Sequence, residues 1–181
     1  ADGAAHEFFV VSALTNNVLR YDGTTGVFTD AFASGGGLSI GHGMIFGPDD
    51  NLYVANVLTD QVLRFDGSTG AFIDVFASGG GLDAPTIGLA FGPDGNFYVN
   101  SSETDNVLRY NGTTGAFIDI FATGSGLDKP RDLAFGPDGN LYVTSEITDD
   151  VLRYNGTTGA FIDVFASGSG LDAPFGEVFG P

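Results

Sequence analysis

Short apolar runs alternate with clusters of Gly, Pro, Asp, Asn and Thr along the whole chain. From the second to the third quarter, NLYVAN (Asn51–Asn56) is rich in strand formers and LTDQ turns the chain. VLRFD (Val62–Asp66) is a second run, followed by the turn GSTG, and AFIDVFA (Ala71–Ala77) is a third. SGGGLDAP is a flexible connection, IGLAF (Ile87–Phe91) a fourth run, and GPDG a tight turn. No run has the length or the period of a helix. Glycine supplies the positive φ that such turns need, proline presets the first corner, and Asp or Asn bonds its own backbone. The pattern predicts four short strands joined by hairpins, an antiparallel meander.

The pattern recurs. VLR begins at Val18, Val62, Val107 and Val151, at spacings of 44, 45 and 44 residues, and Val10, Val54, Val99 and Val143 keep the same steps. The extra residue of the second step lies near Thr86. Residues 107–130 and 151–174 differ only at Ile120/Val164, Thr123/Ser167 and Lys129/Ala173. The 181 residues divide into four repeats, about 7–50, 51–95, 96–139 and 140–181, read as one domain. In AFIDVFA, Phe72, Asp74 and Phe76 share one face and Ala71, Ile73, Val75 and Ala77 the other. Both faces are largely apolar, so each sheet needs cover on two sides, which a radial arrangement provides. Twelve of the seventeen phenylalanines fall in register: Phe28, Phe32, Phe46 and their counterparts in each copy. They are expected between blades. The predicted fold is an all-β propeller of four four-stranded blades.

APTIGLAFGPDGNFYVNSSETDNVLRY and KPRDLAFGPDGNLYVTSEITDDVLRY resemble NHL-type β-propeller repeats, including those of virginiamycin B lyase-like proteins. The resemblance covers all four copies and implies blade architecture; such propellers host many functions. Where the family often has Asp after the YVxx strand, this chain has Ser12, Asn56, Ser101 and Ser145, and its arginine follows VL instead of preceding it. By this analogy IGLAF is the innermost strand and AFIDVF the outermost. The last blade would then join Gly176–Phe179 to the three N-terminal strands. The alternative is that the split blade is completed between chains, giving a larger ring or a filament.

Charge narrows the partners. Six basic against 23 acidic residues leave −17, which repels phosphate backbones and anionic lipid, so no nucleic-acid partner is expected. No apolar run approaches the roughly 18 residues that span a bilayer, so no membrane insertion is expected. Cysteine is absent, which removes disulfides and thiolate sites. The opening ADGAAHE could follow a cleaved leader or mark a fragment boundary; the expectation is an extracellular or periplasmic protein.

Four positions break the repeat at the entry to the innermost strands. His42 corresponds to Ile87, Arg131 and Phe175; Asp132 and Glu177 stand nearby where other copies carry Gly or an apolar residue. His42, Arg131, Asp132 and Glu177 are the candidate binding cluster at an axial mouth, against the plainer reading of drift between copies. The lyase resemblance implies a His/Glu pair with a divalent cation, which His42 and Glu177 would have to supply. The Asp-rich turns invite calcium or magnesium, but calcium wants six to eight oxygens and each turn offers one or two carboxylates. Asn100, Asn111 and Asn155 begin glycan-acceptor triplets. Arg20, Arg64, Arg109 and Arg153 are expected to bridge Asp30, Asp74, Asp119 and Asp163 across adjacent strands. The preferred reading is a secreted, non-catalytic scaffold with no cofactor, binding a protein or small ligand or self-assembling. A fibre or larger-ring subunit and a metal-dependent lyase- or lactonase-like enzyme are the alternatives.

Overall fold

The computed structural model describes residues 6–180, and within it the strands form four antiparallel sheets, each taking its innermost strand from the end of the preceding repeat except the first, which has three strands. The first sheet holds β1 (Glu7–Ser12), β2 (Asn17–Asp22) and β3 (Phe28–Ser34). The second holds β4 (Gly41–Phe46), β5 (Leu52–Asn56), β6 (Gln61–Phe65) and β7 (Phe72–Ser78). The third holds β8 (Leu89–Phe91), β9 (Phe97–Ser101), β10 (Asn106–Tyr110) and β11 (Phe117–Thr123). The fourth holds β12 (Pro130–Phe135), β13 (Leu141–Ser145), β14 (Asp150–Tyr154) and β15 (Phe161–Ser167). In each sheet the strands lie in chain order, as a meander requires. Local chemistry sets the turns. Asp66 Oδ1 accepts the N–H groups of Ser68 (3.0 Å) and Thr69 (2.8 Å), and Gly70 closes that turn at φ +71°. The residue inserted near Thr86 shortens β8 to three residues, against six in β4 and β12.

Burial lies between the sheets. Val62, Phe76, Ala77 and Leu82 of the second blade meet Leu89, Phe97, Leu108 and Tyr110 of the third. Corresponding residues make the first-to-second and third-to-fourth contacts. The same interface is thus built three times, each closed by one aromatic motif. The phenylalanine of an innermost strand lies edge-on to an aromatic of the blade before it: Phe91 on Tyr53 (5.2 Å), Phe135 on Tyr98 (4.9 Å), Phe46 on Phe9 (5.2 Å).

Not every in-register phenylalanine is core. Phe32, Phe76 and Phe121 are 4–7% exposed, but Phe28, Phe72, Phe117 and Phe161 are 39–53% exposed. A bulge in each outer ladder, such as that between Arg64 and Phe65, moves the first phenylalanine to the blade edge. There its ring covers the glycine linker of the preceding blade: a Cβ at Gly36 would stand 2.1 Å from Phe72 Cδ2. The cross-strand arginines behave as expected. Arg64 holds Asp74 at 2.6 Å with its guanidinium 5.2 Å above Phe76, and the other blades repeat this.

The expected closing ladder is not formed within the chain. Among the described residues no strand follows β15, and the first sheet ends at β1. Phe179 instead lies 4.9 Å from Tyr142, as the other innermost phenylalanines lie on their preceding blades. An innermost strand packs on the blade before it and hydrogen-bonds to the blade after it. Residues 174–179 have made the first set of contacts, and no ladder joins them to the first blade.

Candidate functional site

The entries to the innermost strands carry the four unlike residues. Asp132 Oδ2 accepts the Glu177 N–H at 3.0 Å, and Oδ1 accepts the Leu133 N–H at 2.9 Å. Burial raises the Asp132 carboxyl above its usual range, against the pull of those two N–H donors. Glu177 is pushed up to about 8, first by burial and then by the Asp132 charge, with the Ala134 N–H opposing. Its Oε1 is buried without a hydrogen-bond partner. His42 is held below its usual value by burial and by the Arg131 charge.

Arg131 is not a free cation. It is paired and hydrogen-bonded with Glu146, and its guanidinium stands 5.4 Å above the Phe175 ring. Its carbonyl accepts Thr86 Oγ1 (2.8 Å) and Gly88 N–H (2.9 Å). Glu146 escaped the sequence reading, although it carries the same signal: its counterparts Ala13, Val57 and Ser102 are uncharged. The four candidates therefore divide into Asp132 with Glu177, and Arg131 near His42. No hydrogen bond joins His42 to Glu177 among the described residues, and no group of three or more His, Asp or Glu there is placed to hold a metal ion. The innermost strands β4 and β8 approach closely: a Cβ on Gly43 would lie 2.7 Å from Ile87 Cα.

The acidic loops have structural employment. Asn16, Asp60, Asp105 and Asp149 are left-handed, and each Oδ1 accepts an N–H of the next blade: Ile40 (3.0 Å), Ala84 (2.9 Å), Lys129 (2.9 Å) and Ala173 (2.8 Å). These staples pin each innermost strand to the blade before it. Asp105→Ala should lower unfolding stability by about 1–2 kcal/mol, read in urea, through one charge-assisted bond left unmade. Of the glycan triplets, Asn100 is fully buried and its Nδ2 donates to the Pro130 carbonyl at 3.1 Å, so the folded chain leaves no room for a sugar there. Asn111 and Asn155 head turns, where Oδ1 accepts the N–H groups of the following threonines.

The largest unpaired chemistry lies at the two ends of the blade stack. On the first blade Phe8 is 58% exposed and Val10 37%, while Leu52, Phe97, Leu141 and Val54, Val99, Val143 at the same positions are wholly buried. Leu19 and Tyr21 are likewise only half-buried. On the fourth blade Phe165 is 50% exposed, against 4–7% for its counterparts. Beside it an apolar cavity of about 280 Å³ is lined by Tyr142, Val151, Phe165, Val178 and Phe179, with Glu177 at its wall. The sequence reading missed these faces, because equivalent repeats carry no local signal of which neighbour covers them.

Four meandering sheets, stacked face to face with their first strands at one side, define a class: the chain is built of β-propeller blades. Its fold resembles that of virginiamycin B lyase, a β-propeller. The Staphylococcus aureus enzyme superimposes with a TM-score of 0.72 at 15% identity, over 97% of this chain and 57% of that one. Kuenenia stuttgartiensis hydrazine synthase matches at 0.69 and 21% identity, over 86% and 44%. The computationally designed Ika8 protein matches at 0.65 and 14%, over 97% and 50%. The chain thus spans little more than half the length of the virginiamycin B lyase chains it resembles. No protein-family model and no curated protein matches the sequence.

Proposed function

We propose that the chain is a non-catalytic propeller scaffold whose working surfaces are its two end faces, through which blades of the same kind associate. The observation that carries this reading is the exposure of Phe8 and Phe165 at positions buried in every internal interface. Contiguous large apolar side chains left in water mark an interaction surface. Near-identical repeats supply packing surfaces in quantity and unique groups sparingly. The unique polar groups are mostly engaged with one another, Arg131 with Glu146 and Asp132 with the Glu177 N–H. Closure of the first blade is, in this reading, an event between chains.

Light scattering across micromolar concentrations tests the reading. The expected result is a mass above 18.7 kDa that falls back to 18.7 kDa in Phe165→Asp, at a side chain already half exposed in the single chain, with the circular dichroism of the parent retained. A wild-type chain that stays at 18.7 kDa at every concentration overturns it. Because each chain carries −17, association should tighten as salt rises.

A further inference from the structure

We infer that the occupant of the end faces is a second copy of this chain, and that two copies close one ring of eight blades, each lending Gly176–Phe179 to the other's first blade. This rests on the end-face reading above and adds its partner, stoichiometry and register.

Three features of the ends match what the internal interfaces use. The first is Tyr21. Its counterparts Tyr110 and Tyr154 donate their hydroxyls to the carbonyls of Gly79 and Gly124 in the preceding blade, at 2.7 and 3.1 Å. The corresponding acceptor for Tyr21 is Gly168, in the fourth blade, whose face is uncovered. The second is Gly26. A Cβ at its counterparts Gly70, Gly115 and Gly159 would lie 1.7–1.8 Å from the carbonyl oxygens of Phe32, Phe76 and Phe121, whereas at Gly26 it meets nothing within 4 Å. Gly26 therefore keeps a recess for one more outer-strand carbonyl, that of Phe165. The third is the C-terminal segment, held by Asp149 and Tyr142 in the place of an innermost strand, without a ladder partner. The pairs Met44↔Val54, Leu89↔Val99 and Leu133↔Val143 place Glu177 opposite Val10 of the second copy.

Exposure at both ends distinguishes one chain from two: four blades that closed on themselves would cover Phe8 and Phe165 with each other's faces, and here both stay exposed. Two arcs match the length of Ika8, of which one arc covers half. Head-to-tail contact related by a two-fold axis along the ring closes after two copies and leaves no face bare.

The chain has no cysteine, so Val10→Cys/Glu177→Cys introduces one kind of bridge, between directly opposed strand positions at a spacing within disulfide reach. After mild oxidation, a non-reducing gel should show one covalent dimer, linked twice. A ladder of higher species means a filament: the ring fails while the end-face reading stands. An oxidised monomer means closure within one chain, and no bridge at all means the wrong register; either overturns the ring. Gly26→Ala is the second variant. It clashes with nothing in the single chain, so it should keep the parent's fold at only the cost of its positive φ, and dimerise at least about tenfold more weakly. Unchanged association of Gly26→Ala overturns the proposed seating of the faces. Failure of the parent to associate at any concentration defeats the end-face reading itself.

Discussion

Glu177→Leu is expected to hold the C-terminal segment in place at alkaline pH, where the parent loses it. Glu177 occupies the position of Met44, Leu89 and Leu133, of which the two leucines are 4–5% exposed. It faces Asp132 from β12 and the Ala134 N–H, and its Oε1 has no partner. The direction follows from linkage. The carboxyl titrates at about 8 when docked, against an ordinary value of 4.5. Below about 4.5 it is protonated docked and free, and docking is unaffected. As pH rises between those values, the free form ionises while the docked form must keep its proton, so docking weakens with each step. Above about 8 the loss is complete. Asp132, also raised, works in the same direction. The difference between 4.5 and about 8 corresponds to about 5 kcal/mol, and the loss is bounded by what it costs to undock the segment. Hydrogen exchange of the Glu177 amide, which donates to Asp132, reads it: parent protection should fall between pH 5 and 9, while in Glu177→Leu it stays level. A parent profile as flat as the variant's would show that the carboxyl is already solvated.

Gly115→Ala should be among the most damaging small substitutions in the chain. Gly115 sits at φ +69°, where an L side chain is strained, and its Cβ would lie 1.7 Å from the Phe76 carbonyl oxygen. That oxygen belongs to an outer strand in the tightest part of the core, so relief requires two blades to part. Strain and overpacking together cost about 2–4 kcal/mol, or roughly 10 °C in Tm. Gly26→Ala supplies the control, since it has the same backbone at φ +70° with open space around it. Its cost in the single chain should be about 1 kcal/mol. Equal melting temperatures for the two variants would mean that the blades do not meet where this structure puts them.

Much of this molecule was legible in its residues. The period of VLR, the DGTTG turns and the two-sided apolar strands specify meandering sheets covered on both faces, because turn chemistry and the two-residue alternation of strands are local properties. The Arg/Asp bridges follow from the same hairpin spacing. The axial cluster was legible only in part. The unlike residues His42, Arg131, Asp132 and Glu177 announced themselves by breaking the repeat, but the pairing of Arg131 with Glu146 comes from a hairpin that returns fifteen residues later. Likewise, the TDD and TDN loops read as acidic turns, and only the next blade shows that their carboxylates staple backbone N–H groups 24 residues on.

What the sequence by itself determined is the blade: its strands, its turns and the apolar faces it must hide. What only the tertiary structure decided is which equivalent side chains the neighbouring blade covers. Burial is a property of neighbours in space, and so Phe165 and Phe121, alike in sequence, stand one half exposed and the other in the core.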